Sequence, residues 1–223
     1  MRRRIAGLSR YLVTPETPTH TVFAWLPSTV LPDKNLIVIT REDDVIFGVL
    51  QSWVHILWVR AIGSPYGNHP TARRYNSSRV FETFPFPEGL TPNIRAEVQA
   101  KSQHYAPIAS AAKQLNALRE NWLNPSDLID LVPEVVAGYP ERIVPKSESA
   151  ERELKQRTLT NLYNENPTWL VHAHRVLDEA VAAAYGWEWP LADEEILMRL
   201  VDLNRQRARP LDVRPKPKRT RKK

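Results

Sequence analysis

Hydrophobic and polar positions alternate along the first forty residues in a way that predicts three short β-strands. These segments are rich in β-branched and aromatic residues and are separated by turns with proline or aspartate. They are RYLVTP (10–15), HTVFAWL (20–26) and NLIVIT (35–40). From residue 41 to 63 the apolar positions recur at helical spacing. This predicts one long helix, capped by Asp43 or Asp44 and stopped by Gly63.

The pattern disappears between residues 63 and 78, where GSPYGNHPTARRYNSS has the composition of a long loop. Loops of this length are usually either functional or disordered. The next segment, RVFETF (79–84), predicts a fourth strand, because it is rich in aromatic residues and is ended by Pro85 and Pro87.

From residue 91 onward the hydrophobic spacing is helical, apart from a proline-rich connector. Helices are predicted over 92–123 and near 147–163, 167–185 and 193–207, with Thr168 or Asn166 as a cap and Gly186 as a stop. The pattern therefore predicts an α+β fold in three parts: a small mixed α/β part (1–90), an all-helical part (91–213) and a disordered basic tail (214–223).

The net charge of +6 comes from this tail. RPKPKRTRKK carries seven basic groups and no acid, so the chain without it has a net charge of −1. A tail of this composition cannot bury a core and would add salt-dependent affinity for phosphate, whatever the nucleic-acid sequence. A solubilising end is an equally good interpretation of the same residues.

Composition limits the class of protein further. A hydrophobic content of 42% with seven tryptophans is typical of a globular protein, and the absence of cysteine excludes disulfides and thiolate chemistry. The apolar runs are short and interrupted by charge, so we expect no membrane partner. These features are compatible with a cytoplasmic protein.

The sequence lacks the common catalytic motifs. It has no glycine-rich turn after a strand, no phosphate-binding loop, no zinc-ligand spacing and no Gly-x-Ser-x-Gly elbow. His172 and His174 lie two residues apart on a predicted helix and point away from each other, so a shared metal is not expected. The acidic pairs Asp43-Asp44 and Glu194-Glu195 are better explained as charges at helix starts. We predict no catalytic residue in this chain.

The loop before RVFETF contains the best candidates for binding. Arginine can present two donors to guanine, asparagine can pair with adenine, and hydroxyl or imidazole groups can contact bases or phosphates. The residues that we expect to contact DNA are Ser64, Asn68, His69, Arg73, Arg74 and Arg79, with Tyr66 as a further donor. A solvated surface loop without a ligand is the alternative.

Several long segments resemble the distal part of the target-recognition domain of MmeI-like DNA methyltransferases, which are large single-chain type II restriction-modification proteins. They are RRRIAGLSRYLVTP (2–15), FAWLPSTVLPDKNLIVITREDDVIFGVLQS (23–52) and RYNSSRVFETFPFPEGLTP (74–92). RTLTNLYNENPTWLVHAHRVLDEAVAAAYGWEWPLADEEIL (157–197) is similar to the C-terminal helical region of the same proteins. Gln51 stands where we expect a histidine in relatives.

The resemblance implies a DNA-binding part of a larger system. Complete members carry a nuclease region, a helical spacer and a methylase domain, which uses S-adenosylmethionine and an Asn/Asp-Pro-Pro-Tyr/Phe motif to methylate adenine N6. This sequence has no Pro-Pro pair, so no catalytic or cofactor-binding residue is carried over. We therefore expect a truncated frame or a detached recognition subunit that binds double-stranded DNA, alone or with a separate methylase or nuclease polypeptide.

In the same family the segment before Phe-Pro-Phe-Pro belongs to the DNA-reading face, so Phe81, Phe84 and Phe86 would anchor it by burial. A proline-rich ligand for a partner is less well supported, because FPFP lacks Pro-x-x-Pro spacing. Two other functions stay open. One is a helical interaction module that touches nucleic acid only through its basic tail, and the other is a self-contained nuclease or methylase.

Overall fold

The computed structural model describes residues 2–67, 72–136 and 138–208 and shows the predicted α+β class. A short helix, α1 (Arg2–Ile5), precedes an antiparallel sheet with the strand order β2-β1-β3. The strands are β1 (Arg10–Pro15), β2 (Ala24–Pro27) and β3 (Leu36–Ile39). In the centre of the sheet Leu12 pairs with Trp25 on one side and with Ile39 on the other.

The first strand has its predicted bounds, whereas β2 begins four residues later than predicted. Phe23, the residue before β2, does not join the sheet, because its N–H donates to the Gln51 side chain over 2.8 Å and its carbonyl accepts from Arg119. Side-chain hydrogen bonds thus replace strand pairing at this point.

The helix predicted over 41–63 is two helices, α2 (Asp44–Gln51) and α3 (Trp53–Ile62). They meet at Ser52 and are bent by 56°. Asp43 caps α2 by accepting from the N–H of Ile46, as predicted, and Gly63 ends α3. The sequence prediction missed the internal break at Ser52, whose hydroxyl oxygen accepts from the N–H of His55 and starts α3.

No single helix in the described part of the chain is long and apolar enough to cross a membrane. Helices α2 and α3 together pass this test, but by length and composition only. Every residue of α2 is buried in the protein core.

The prediction of a strand over 79–84 is wrong. Two short strands, β4 (Ser64–Pro65) and β5 (Arg73–Arg74), are followed by a π-helical turn over Ser77–Phe81. The side chain of Asn76 accepts from the N–H groups of Ser78 and Arg79, so a helical turn starts here despite the strand-like composition.

Over the described residues 91–136 and 138–208 the second half contains helices and one hairpin. The helices are α4 (Ala96–Gln99), α5 (Tyr105–Leu123), α6 (Glu148–Leu154), α7 (Leu159–Glu165), α8 (Thr168–Ala184) and α9 (Asp193–Ala208). The helices predicted over 92–123 and 147–163 are each divided into two. The predicted caps of α8 are also wrong: Asn166 ends α7 in a left-handed conformation, and Pro167 precedes α8 without a side-chain cap.

The hairpin lies inside the predicted proline-rich connector and corrects the expectation of an all-helical second half. It pairs β6 (Ile129–Val132) with β7 (Arg142–Pro145). Each strand has one charged residue, Asp130 or Arg142, and is otherwise apolar. Three of the apolar residues are exposed: Leu131, Ile143 and Val144.

One hydrophobic core joins the two halves. It includes Leu12 of the sheet, Leu50 of α2, Ile108 of α5 and Leu177 of α8. Gly48 allows this packing, because a Cβ at this position would lie 2.8 Å from Ile108 Cγ2. Helix α2 therefore fits closely against α5 and α8, and the first half is packed on a helical platform from the second.

Candidate nucleic-acid interface

Strands β4 and β5 form a short hairpin that brings three of the predicted DNA-contacting residues together. Ser64 pairs with Arg74, and Pro65 pairs with Arg73. Ser64 and Arg74 are exposed, and Arg73 is half-buried. Asn68 and His69, which we also expect to contact DNA, lie outside the described residues.

The side chain of Arg73 is bound to the protein backbone. Its Nε donates to the carbonyl of Arg60 over 3.1 Å, and its Nη1 donates to the carbonyl of Ala72 over 3.0 Å. Gly63 makes this close approach possible, because a Cβ there would lie 2.6 Å from the Val59 carbonyl oxygen and 3.0 Å from Arg73 Cβ. In this structure Arg73 therefore fastens the hairpin to the end of α3.

The side chain of Arg74 points to solvent. Its Nη1 lies 3.6 Å from Oε1 of Glu16, and its guanidinium lies 5.6 Å from the centre of the Tyr66 ring. Both Arg74 and Glu16 are exposed at this contact, and exposed ion pairs of this kind contribute only about 0–1 kcal/mol. Arg74 can therefore exchange this contact for a phosphate or a base at small cost.

Arg79 lies on the π-helical turn and is also exposed. Its backbone N–H is held by Asn76, and its guanidinium makes no hydrogen bond or ion pair with the residues that the structure describes. The turn thus presents a second arginine five residues after Arg74.

Between these two arginines Tyr75 is fully buried and anchors the segment. Its hydroxyl lies 3.3 Å from Nε2 of His55, and Nδ1 of His55 lies 2.7 Å from the carbonyl oxygen of Leu50. Because a carbonyl can only accept, we assign the ring proton to Nδ1, so that Tyr75 donates to Nε2. Burial lowers the pKa of His55 to about 3 and raises the pKa of Tyr75. The pair is therefore neutral at physiological pH.

The aromatic residues after the π-helical turn complete this anchor. Phe84 is 4% exposed, and its ring centroid lies 4.7 Å from that of His55 and 4.9 Å from that of Phe86. The predicted burial of Phe84 and Phe86 is confirmed, whereas Phe81 is only partly buried against Phe86. Nε1 of Trp58 donates to the carbonyl of Val80, which ties the turn to α3.

The other polar candidates have structural roles in the described part of the chain. No group of three or more His, Asp and Glu residues there could hold a metal ion. His172 is exposed, whereas His174 is largely buried and lies 2.9 Å from the hydroxyl of Tyr163. Asp44 pairs with Arg10 over 2.9 Å, so this member of the acidic pair also ties α2 to the sheet.

Arg60 also belongs to this region, although the sequence pattern did not predict it. Its carbonyl accepts a hydrogen bond from Nε of Arg73, and its guanidinium lies 4.5 Å from the centre of the Trp53 ring. Partial burial lowers the pKa of Arg60. The sequence signal was available but ambiguous, because a basic residue at the end of a helix is also explained by the helix dipole.

Comparisons with known proteins point to one family. The model of the MmeI target recognition domain matches residues 12–88, which include the hairpin, the π-helical turn and the aromatic anchor. A solved structure of the Type IIL restriction-modification enzyme MmeI in complex with DNA is similar to this chain, with 21% sequence identity and a TM-score of 0.58. The similarity covers 89% of this chain and 21% of that chain, so this protein spans about a fifth of the length of the solved one. No curated protein matches.

The sequence resemblance to MmeI is thus confirmed: residues 12–88 match the MmeI target recognition domain, and the fold of the chain is similar to that of MmeI.

Proposed function

We propose that this chain is the DNA target-recognition part of an MmeI-like restriction-modification system. The family match covers all six of the predicted contact residues, and the similar MmeI structure is a complex with DNA. The observation that carries the proposal is the arrangement around Tyr75. This buried residue fixes a segment of the chain in which Arg74, just before it, and Arg79, four residues after it, are both exposed.

The contact residues have different proposed roles. Arg74 and Arg79 are the residues that read bases, because an arginine fork can contact guanine O6 and N7 together. Arg73 positions the hairpin through the carbonyls of Arg60 and Ala72. Ser64, Asn68 and His69 contribute contacts to phosphates or bases.

We assign the chemistry of the system to a methylase part that is joined to this chain or carried on a separate polypeptide in the cytoplasm. That part binds S-adenosylmethionine and methylates adenine N6. No residue of this chain is proposed as catalytic, because its sequence offers no glycine-rich turn to hold the cofactor and no Pro-Pro motif to hold adenine.

The test is selection from a random library of DNA duplexes with a chain that lacks residues 214–223, alone and joined to a cognate methylase part. We expect enrichment of a defined sequence motif. Removing the tail matters because its seven basic residues would add affinity for every sequence. Uniform recovery of all duplexes, or no binding, would contradict a role in target recognition.

The second candidate function is a helical interaction module that contacts nucleic acid only through its tail. It is favoured by the exposed apolar residues of the β6–β7 hairpin and its connection, of which Val135 is 90% exposed. In the same selection this function predicts that the chain without its tail recovers no DNA.

A further inference from the structure

A cavity of about 500 Å³ opens beside the hairpin, between the segment before β2, helix α3 and helix α8. Its size is in the range of pockets that hold a small organic ligand. The residues of its wall that matter here are Gln51, Trp53, Arg60, Tyr163, Asp178 and Trp189.

Gln51 presents an amide donor to this cavity. The residue is 1% exposed, and its Oε1 accepts from the N–H of Phe23 over 2.8 Å and from Arg119 over 3.4 Å. Because both groups can only donate, they fix the orientation of the amide and turn its NH₂ away from them. This NH₂ donates to none of the residues that the structure describes, and Gln51 lines the cavity.

Asp178 presents a carboxyl oxygen to the same cavity. The residue is 7% exposed, and its Oδ1 accepts from the N–H of Trp53 over 2.6 Å. Oδ2 has no hydrogen-bond or ion-pair partner among the described residues. Neither atom is among the fully buried polar atoms without a partner in the described residues, which are Thr14 Oγ1, Trp25 Nε1 and Arg119 Nε, so both are accessible from the cavity. An accessible donor and an accessible acceptor in the wall of one cavity indicate a place for a polar ligand.

The rest of the wall indicates which ligand. Tryptophan and tyrosine side chains at Trp53, Tyr163 and Trp189 provide surfaces on which a planar group can stack. A donor and an acceptor match the edge of a nucleobase, which offers an acceptor and a donor next to each other. Amide and carboxylate side chains are the groups that proteins use for such edges.

The cavity also adjoins cations. Arg60 and Arg175 line it and are exposed, so either can contact a phosphate at its mouth. The carbonyl of Arg60 accepts from Arg73, which connects the cavity directly to the β4–β5 hairpin.

We propose that this cavity binds a nucleobase, with the NH₂ of Gln51 donating to the base edge, Oδ2 of Asp178 accepting from it, and an arginine at the mouth contacting its phosphate. The base can come from a free nucleotide or from an unpaired position in bound DNA, and the second source rests on the proposed function above.

The test is titration of the chain with AMP, CMP, GMP and UMP, monitored by tryptophan fluorescence and calorimetry. We expect at least one nucleotide to bind. Gln51→Glu and Asp178→Asn should each weaken binding by about tenfold or more, because they keep the acceptors for Phe23 and Trp53 but remove the free donor or the free acceptor. Glu179→Gln, at the exposed neighbour of Asp178, is the matched control and should leave binding unchanged.

A second arm compares a fully paired duplex with one that carries a single unpaired base. If the duplex with the unpaired base binds more tightly than the paired one, and Asp178→Asn removes this difference, the base in the cavity comes from DNA. If monophosphates bind and the two duplexes do not differ, the base comes from a free nucleotide. If the chain does not recognise a DNA target, monophosphates should still bind to the cavity. Should either variant fail to fold, photocrosslinking of an azido derivative of the nucleotide that binds must label peptides of the wild-type chain that contain Trp53 or Trp189. The proposal would be overturned if these peptides stay unlabelled, or if the folded variants bind the nucleotides and the DNA duplexes as tightly as the wild type does.

Discussion

The guanidinium of Arg119 donates through Nη2 to the backbone carbonyl of Phe23 over 2.8 Å, across 96 residues of sequence. Arg119 lies on α5 and is 1% exposed, and the second hydrogen bond of its guanidinium goes to Gln51. A helix of the second half therefore satisfies the carbonyl that β2 leaves unpaired at its start. We expect the parts predicted as 1–90 and 91–213 to unfold together because they share this contact and one hydrophobic core.

Arg119→Ala should lower the free energy of unfolding by about 2–4 kcal/mol, because it leaves a buried carbonyl without a donor and creates a cavity. Urea unfolding monitored by circular dichroism measures the change. Glu120→Ala, on the exposed side of the same helix, is the control and should change stability by less than about 0.5 kcal/mol. Two separate transitions in the wild-type chain would contradict the shared core.

Phe84→Ala should lower the free energy of unfolding by about 3–5 kcal/mol, because the ring is almost fully buried against His55 and Phe86. The variant should also weaken binding to all DNA sequences together, since it loosens the anchor and leaves the exposed arginines in place. Phe81→Ala, at a partly buried ring, should cost less. Equal losses from the two substitutions would show that the anchor depends on the whole aromatic stretch.

The fold was predictable where local signals agreed with the tertiary structure. The bounds of β1, the Asp43 cap and the Gly63 stop follow from residues that act on their immediate neighbours. The π-helical turn was not predicted, because its strand-like composition reflects burial of Val80 and Phe84, while the capping side chain of Asn76 sets the backbone.

The exposure of Ser64, Arg74 and Arg79 was predictable from their place in or next to a polar loop, but the contacts of the individual arginines were not. Arg73 and Arg74 are adjacent and chemically identical, and only the fold shows that Arg73 bonds to Arg60 while Arg74 faces solvent. The cavity beside them could not be predicted, because Gln51 and Asp178 are 127 residues apart. Nothing in the local spacing connects them.

Asp178 should make stability depend on pH in a defined direction. Burial raises its pKa from 3.8 to about 7, against the effect of the Trp53 N–H. The folded protein thus binds this proton more tightly than the unfolded chain, so the contribution of Asp178 to stability falls as pH rises from about 4 to about 7. The Asp178→Asn variant has no carboxyl group to titrate at this position. Its free energy of unfolding relative to that of the wild type should therefore rise from about pH 4 to about pH 7, by at most about 1.4 kcal/mol per pH unit.

Urea unfolding of both proteins at several pH values measures this difference. Burial lowers the pKa of His55 to about 3 and that of His174 to about 4, which makes stability fall toward acid pH in both proteins. That effect cancels in the comparison. A stability difference that stays constant from pH 4 to pH 7 would show that Asp178 titrates normally.

Deletion of residues 214–223 should weaken binding to every duplex and leave sequence preference unchanged. The segment carries seven basic residues, so up to seven phosphate contacts are lost and the slope of log affinity against log salt should become shallower. Titrations of one cognate and one unrelated duplex at several salt concentrations measure both effects. A deletion that removes sequence preference without changing the slope would contradict the assignment of the tail.

Arg74→Ala should relax the preference for one base position in the selected DNA motif, when the chain is joined to its methylase part. An arginine that reads guanine contributes about 1–3 kcal/mol of discrimination, whereas one that contacts phosphate weakens all sequences alike. Arg73→Ala is the matched comparison. Because Arg73 donates to the Arg60 and Ala72 carbonyls, its loss should loosen the hairpin and lower the affinity for all sequences. Competition between the motif and single-base variants of it measures both outcomes. If Arg74→Ala keeps the parent preference while Arg73→Ala changes it, the reading role belongs to Arg73, and the contacts seen here are exchanged for DNA on binding.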